Sequence, residues 1–155
     1  MQKTDWMVNL VKKIKFRAWD NENKVMVYPK GILFDGRVVN FSCGVLEPYE
    51  GYELMQFTGL YDKNGKEIYA GDIVRGKYGK NGIVKNYEIR WLIGHFAAVD
   101  RNNITGDEHY YPIGLLEGEV IGNIFQDGDL LHDSQSPDKN KIYENLELLE
   151  GEKHD

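Results

Sequence analysis

The chain has 155 residues, 41% hydrophobic and 12% aromatic, which suits one domain or two very small ones with enough apolar material for a core. A formal net charge of -6 argues against tight nucleic-acid binding as a property of the whole surface, while leaving room for a local basic face. A single cysteine, Cys43, excludes a disulfide framework and a cysteine-built zinc site, and reads as a small core residue in a reducing compartment.

Residues 1–12 read as a short helix or a loose lead-in, with Asp5 placed to cap and Trp6, Leu10 and Val11 on roughly one face. They hold no continuous apolar segment of the roughly 7–15 residues a secretory signal needs, and no run of ~18 apolar residues follows anywhere. The expectation is a soluble cytoplasmic protein with no membrane partner.

In "KIKFRAW", Ile14, Phe16 and Ala18 alternate with Lys13, Lys15 and Arg17, the period of two of a half-buried strand with its basic residues in solvent. The turn formers "DNENK" lead to "VMVY" (Val25–Tyr28) as the partner of a hairpin. "ILF" and "VVNF" read as short strands around Asp35-Gly36, and "CGVLEPYEGYE" reads as loop. "LMQFTGLYD" has strand composition interrupted by Gly59. Asn64-Gly65 then predicts a hairpin with a type I′ turn, which needs positive φ at both central residues.

"AGDIVRG" turns into a strand at Ile73-Val74-Arg75, and a second Asn-Gly follows at Asn81-Gly82. The longest alternation comes next, with Tyr87, Ile89, Trp91 and Ile93 on one face and Glu88 and Arg90 on the other. Gly94-His95 predicts a two-residue turn with glycine first, "FAAV" returns antiparallel, and "YYPI" and "EVIGNIF" (119–125) supply the last strands. Short strands at this spacing predict a five-stranded, SH3-like barrel over 71–125. The tail changes period: Ser136 can cap, Pro137 suits the first helical position, and Ile142, Leu146 and Leu149 follow at i, i+4, i+7 with Tyr143 beside them. An amphipathic helix ending at Gly151 is expected, and its stripe makes Ile142, Tyr143, Leu146 and Leu149 candidate interface residues.

Recognised catalytic patterns are missing from the sequence. His95, His109, His132 and His154 have no metal spacing, and no G-x-S-x-G or G-x-x-x-x-G-K-[ST] occurs. "GDEHYY" groups Asp107, Glu108 and His109, which could orient an imidazole, but a solvated loop is the simpler reading. "DKNGKE" lacks an oxygen ligand at Leu60, two residues before Asp62, so the hairpin outweighs a calcium loop. Asp127 and Asp129 around Gly128 read as a turn. No cofactor is expected.

Two binding readings remain. "RGKYGKNGIVKNY" offers Arg75, Lys77, Lys80 and Lys85 with Tyr78 and no acid, a pattern that suits phosphate contact with base stacking. Ten tyrosines and the apolar tail stripe point to protein contacts, including a homo-oligomer.

Four segments, "KIKFRAWDNENKVMVY", "LMQFTGLYDKNGKEIYAGDIV", the "GIV...Y" region and "EVIGNIFQDGDLL", together resemble the YopX family of bacteriophage and prophage proteins over most of 13–131, with a variable stretch between 30 and 52. The resemblance implies a mainly β fold whose C-terminal part is SH3-like, in a phage gene product acting inside the infected bacterium, and it brings no catalytic residues with it. The expected organisation is an extension (1–12), an N-terminal β region (13–70), the barrel (71–131) and a helical tail (132–155). The expected function is non-enzymatic binding or assembly with an unidentified phage or host protein in the cytoplasm of the host bacterium, the alternative being a nucleic-acid-binding module built on the 75–87 hairpin.

Overall fold

A computed structural model describes residues 13–42, 45–101 and 107–132. The expected extension at 1–12, Cys43, the expected tail helix and its residues Ile142, Tyr143, Leu146 and Leu149 lie outside the described residues. What is described is mainly β, with two short 3-10 turns, Ile113–Leu115 and Gly128–Leu131. The strands are β1 (Phe16–Asp20), β2 (Val25–Val27), β3 (Gly31–Ile32), β4 (Val38–Ser42), β5 (Val45–Tyr49), β6 (Tyr52–Tyr61), β7 (Glu67–Tyr69), β8 (Asp72–Tyr78), β9 (Lys85–Leu92), β10 (His95–Asp100), β11 (His109–Pro112) and β12 (Leu116–Asn123). Their sheets run β2-β1-β6-β7, β3-β4-β5 and β11-β10-β9-β8-β12.

The β1–β2 hairpin forms as the turn residues dictate. Asp20 accepts the backbone N–H groups of Glu22 and Asn23 at 2.9 Å each, and Lys24 takes the left-handed conformation at φ 56. Hydrogen bonds from the Asn23 side chain and backbone hold the Asp20 carboxyl below the usual range. One expectation for β1 is overturned: Arg17 is buried, as is Trp19 beside it. Both faces of β1 are covered, Ala18 being buried on one and Arg17 and Trp19 on the other. Trp19 stacks on Phe125 with centroids 6.0 Å apart, while the Arg17 guanidinium lies 4.4 Å from the Tyr69 ring and pairs with Asp72, itself 1% exposed. The Asp72 carboxyl is pushed up by burial, against the pull of Arg17.

"CGVLEPYEGYE" is not a loop. Among its described residues, Val45–Tyr49 form β5, and Tyr52 and Glu53 begin the ten-residue β6. Pro48 is tolerated because β5 is an edge of its sheet, where a missing N–H costs no ladder bond on the unpaired side. The β6–β7 hairpin exists, but Asn64 does not have positive φ, so its turn is not type I′. Gly65 alone is left-handed, and Gly65 N–H reaches the Asp62 carbonyl while Asp62 N–H reaches Lys66: a type I turn closed by a glycine bulge. Gly59, at φ 88, lies where the β6–β7 register breaks.

The five strands expected over 71–125 make the five-stranded sheet. Its curled inner face gathers Val74, Tyr87, Ile89 and Ala98, with Tyr78, Tyr111 and Leu116 packed against them; Ile68 of β7 and Leu60 of β6 join the same core. The inner alternation holds for Tyr87 and Ile89 but fails at Trp91, which is half-exposed against Phe96, and at Ile93, which is fully exposed in the turn. That turn is Ile93-Gly94, one residue earlier than expected, with Gly94 second and at φ 86. The outer face of β9 is covered too: the 3-10 turn Gly128–Leu131 packs on it, and Asn86 donates to the Leu130 carbonyl at 2.8 Å.

Candidate functional site

A cleft of about 680 Å³ lies on the outer face of the five-stranded sheet, where the β6–β7 hairpin meets β12. Its geometry follows from register. Gly118 stands opposite Gly76, Glu117 opposite Lys77 and Glu119 opposite Arg75. The facing glycines admit no side chains: a Cβ on Gly118 would sit 2.6 Å from the Arg75 carbonyl oxygen, and one on Gly76 would sit 2.6 Å from that of Glu117. This close approach joins β8 and β12 on the inner face shared with Val74 and Leu116, while Arg75, Lys77, Glu117 and Glu119 stand on the opposite face.

Asp62 fixes the hairpin wall. Its carboxylate accepts the N–H groups of Asn64 (2.8 Å), Lys66 (2.9 Å) and Val120 (2.9 Å), and Lys63 N–H reaches the Gly118 carbonyl at 2.9 Å. The turn thus docks on the open edge of β12. Burial alone would raise the Asp62 carboxyl, but the three amides together bring it below the usual carboxylate range. Glu119 is bridged by Lys63 and by the Asn64 side chain at 3.2 Å each, and these bonds hold its carboxyl low. Tyr61 (55% exposed) and Val84 (48%) supply apolar surface at the cleft.

The five basic-hairpin candidates do not share one surface. Arg75 and Lys77 line the cleft, and neither makes an ion pair among the described residues; Lys77 Nζ lies 3.4 Å from the Lys80 carbonyl oxygen. Lys80 is exposed in the turn beyond β8. Tyr78 turns inward, with its ring 4.9 Å from Tyr111 and 5.5 Å from Tyr87, and burial pushes its phenol up. Lys85 also turns inward and meets the buried Asp100 at 2.6 Å. The sequence reading missed Tyr61, Val84, Gly118 and Glu119. Only the Asn64-Gly65 hairpin signaled that something must pack there.

Several other titratable groups are engaged elsewhere. Glu108 faces Arg90 at 2.9 Å and the Tyr110 hydroxyl at 2.9 Å, and Arg90 and Arg101 both reach the buried Glu88. Asp127 accepts the Asn123 N–H at 3.0 Å inside its turn. Among the described residues, no group of three or more His, Cys, Asp or Glu is arranged to hold a metal ion, and no helix is long and apolar enough to cross a membrane.

Comparison with known proteins bears on the fold. The chain is similar to protein EF1440 from Enterococcus faecalis at 28% identity and a TM-score of 0.53, over 78% of this chain and 99% of that one. It is similar also to protein yopX from Bacillus subtilis at 22% identity and a TM-score of 0.52, over 77% and 98%. No curated protein matches. The model of the YopX protein family matches residues 15–132, the strands and turns described above, and the chain belongs to that family.

Proposed function

We propose that this protein is a non-enzymatic binding module, encoded by a phage or prophage and working in the cytoplasm of the host bacterium, that engages a phage or host protein through the outer-face cleft. The supporting observation is the cleft's make-up: Tyr61 and Val84 offer apolar contact beside Arg75 and Lys77, which make no ion pair among the described residues. The test is affinity isolation from phage-carrying cells with the full chain and with Val84→Arg and Lys77→Glu. A partner retained by the parent chain and lost with both variants supports the reading; equal retention by all three refutes it.

The nucleic-acid alternative keeps one favourable observation, the cations Arg75, Lys77 and Lys80 along a single hairpin. Against it stand Glu117 and Glu119 directly across from Lys77 and Arg75, and the engagement of Tyr78 and Lys85 inside the barrel. Binding that falls steeply with salt and is lost in Lys77→Glu and Lys80→Glu would favour it.

A further inference from the structure

We propose that Asn81 is a site of spontaneous covalent modification, converting to aspartate and isoaspartate through a cyclic imide with Gly82, while the same tripeptide at 63–65 is held unreactive by its docking on β12. The chain contains two Lys-Asn-Gly tripeptides, 63–65 and 80–82, so the residues on either side of each asparagine are identical and only the fold distinguishes them. The inference stands on these two turns and does not require the cleft to be a binding surface.

The reaction needs only water. The Gly82 amide gives up its proton to solvent, and its nitrogen bonds to Cγ of Asn81. The Cγ–Nδ2 bond breaks and ammonia leaves, taking a proton from solvent. Water then opens the imide at Cγ, which leaves aspartate, or at the main-chain carbonyl, which leaves isoaspartate. In sum, one amide and one water become one carboxylate and one ammonium ion. Glycine permits the attack because no Cβ shields its nitrogen. The turn cannot dispense with that glycine, since a Cβ on Gly82 would overlap the Tyr78 carbonyl oxygen.

The two turns treat the same chemistry differently. At the first, the Asn64 side-chain amide donates to Glu119 at 3.2 Å, the Asn64 N–H to the Asp62 carboxylate at 2.8 Å, and the Gly65 N–H to the Asp62 carbonyl at 3.0 Å. Ring closure there must break the first and the last of these bonds. At the second, Asn81 is exposed and its side chain makes no hydrogen bond among the described residues. The Gly82 N–H reaches only the Gly79 carbonyl, at 3.3 Å, long for an N–H donor. Residues 79–84 lie between β8 and β9, outside the ladder that would restrain them. Lys80 and Lys77, whose Nζ lies 3.4 Å from the Lys80 carbonyl oxygen, add positive charge that favours loss of the Gly82 amide proton. The product places a carboxylate in 75–85, a stretch without an acidic residue, and takes the formal net charge from -6 to -7.

Timed peptide mapping of the full chain tests the assignment. The protein is held at neutral pH and physiological temperature, folded and in urea, and digested in heavy-oxygen water, which marks any conversion made during digestion. Mass and fragmentation then report aspartate and isoaspartate at positions 81 and 64. In the folded chain Asn81 is expected to convert roughly tenfold or more faster than Asn64, the rate cost of breaking one or two hydrogen bonds before ring closure. In urea the two rates converge, and in folded Asn81→Gln most of the acidic species seen on ion exchange is gone. Equal rates in the folded chain, a faster Asn64, or a folded Asn81 that stays intact while both sites convert in urea overturns the inference. So does a difference that persists in urea, because it would then belong to the next residues along, Lys66 and Ile83, and not to the fold.

Discussion

Replacing Asp62 with alanine should destabilise the fold well beyond an ordinary surface change. Its carboxylate is the common acceptor of three backbone amides, two inside the β6–β7 turn and one on β12, so it holds both the turn and the contact that builds the cleft wall. A buried hydrogen bond to an ionised acceptor contributes about 1.5–3 kcal/mol. Asp62 is half-buried, water can reach the freed amides, and about 1 kcal/mol per bond is the better figure. The expected loss is about 3 kcal/mol, or a fall in Tm of roughly 6–12 °C for a chain of this size. The pH dependence carries a second signature. Because the folded-state carboxyl lies below its unfolded value, its stabilisation is present above about pH 4 and is lost as pH falls through the folded value. Urea denaturation at a series of pH values would therefore show a shallower acid decline in Asp62→Ala than in the parent chain. A loss below about 1 kcal/mol with an unchanged acid decline would refute the role given to this residue.

Further expectations follow from other contacts. Gly118→Ala forces a Cβ to 2.6 Å from the Arg75 carbonyl oxygen and should cost about 1–3 kcal/mol by thermal denaturation, where an ordinary Gly→Ala in a strand would be neutral or stabilising. Asp72→Ala strands the buried Arg17 and should cost about 3–5 kcal/mol, whereas Arg17→Met/Asp72→Leu should recover most of it; equal losses would contradict the pairing. Burial pushes the Tyr87 phenol up to about 12, so its stabilisation is present below pH ~10 and is lost as pH rises through the folded value. Phenolate absorbance of Tyr87→Phe against the parent, titrated upward, checks this; a Tyr87 transition near 10 in the folded protein would contradict it.

Much of this fold could be read from neighbouring residues. The alternations around Ala18 and Ile89 and the turn formers at Asp20 and Gly65 are local signals, and the strands they predict are present. What escaped was set by partners far along the chain. Arg17 read as solvent-facing because Asp72 and Tyr69, which bury it, lie some fifty residues on. Pro48 read as a loop residue because nothing local reveals that β5 is an edge. Asn64 read as left-handed because Asn-Gly favours that turn, yet the Asp62 carboxylate stabilises a type I turn instead. The cleft was hidden for the same reason as Arg17. It needs Tyr61 of β6, Arg75 of β8 and Gly118 of β12 together, and only the pairing of β8 with β12 and the docking of the turn achieve that. Composition had marked Arg75 to Lys85 as one basic unit, but alternation along β8 and β9 sends Tyr78 and Lys85 inward and leaves Arg75 and Lys77 outside.

The central claim, that the cleft is the surface this protein binds with, is tested most directly by photocrosslinking in phage-carrying cells. A photoreactive amino acid would be placed in turn at Val84, at Tyr61 and, as a control away from the cleft, at Glu22. A discrete partner adduct is expected at positions 84 and 61 and none at 22. Adducts at 22 as strong as those at 84, or a partner that crosslinks elsewhere and never in the cleft, would contradict it.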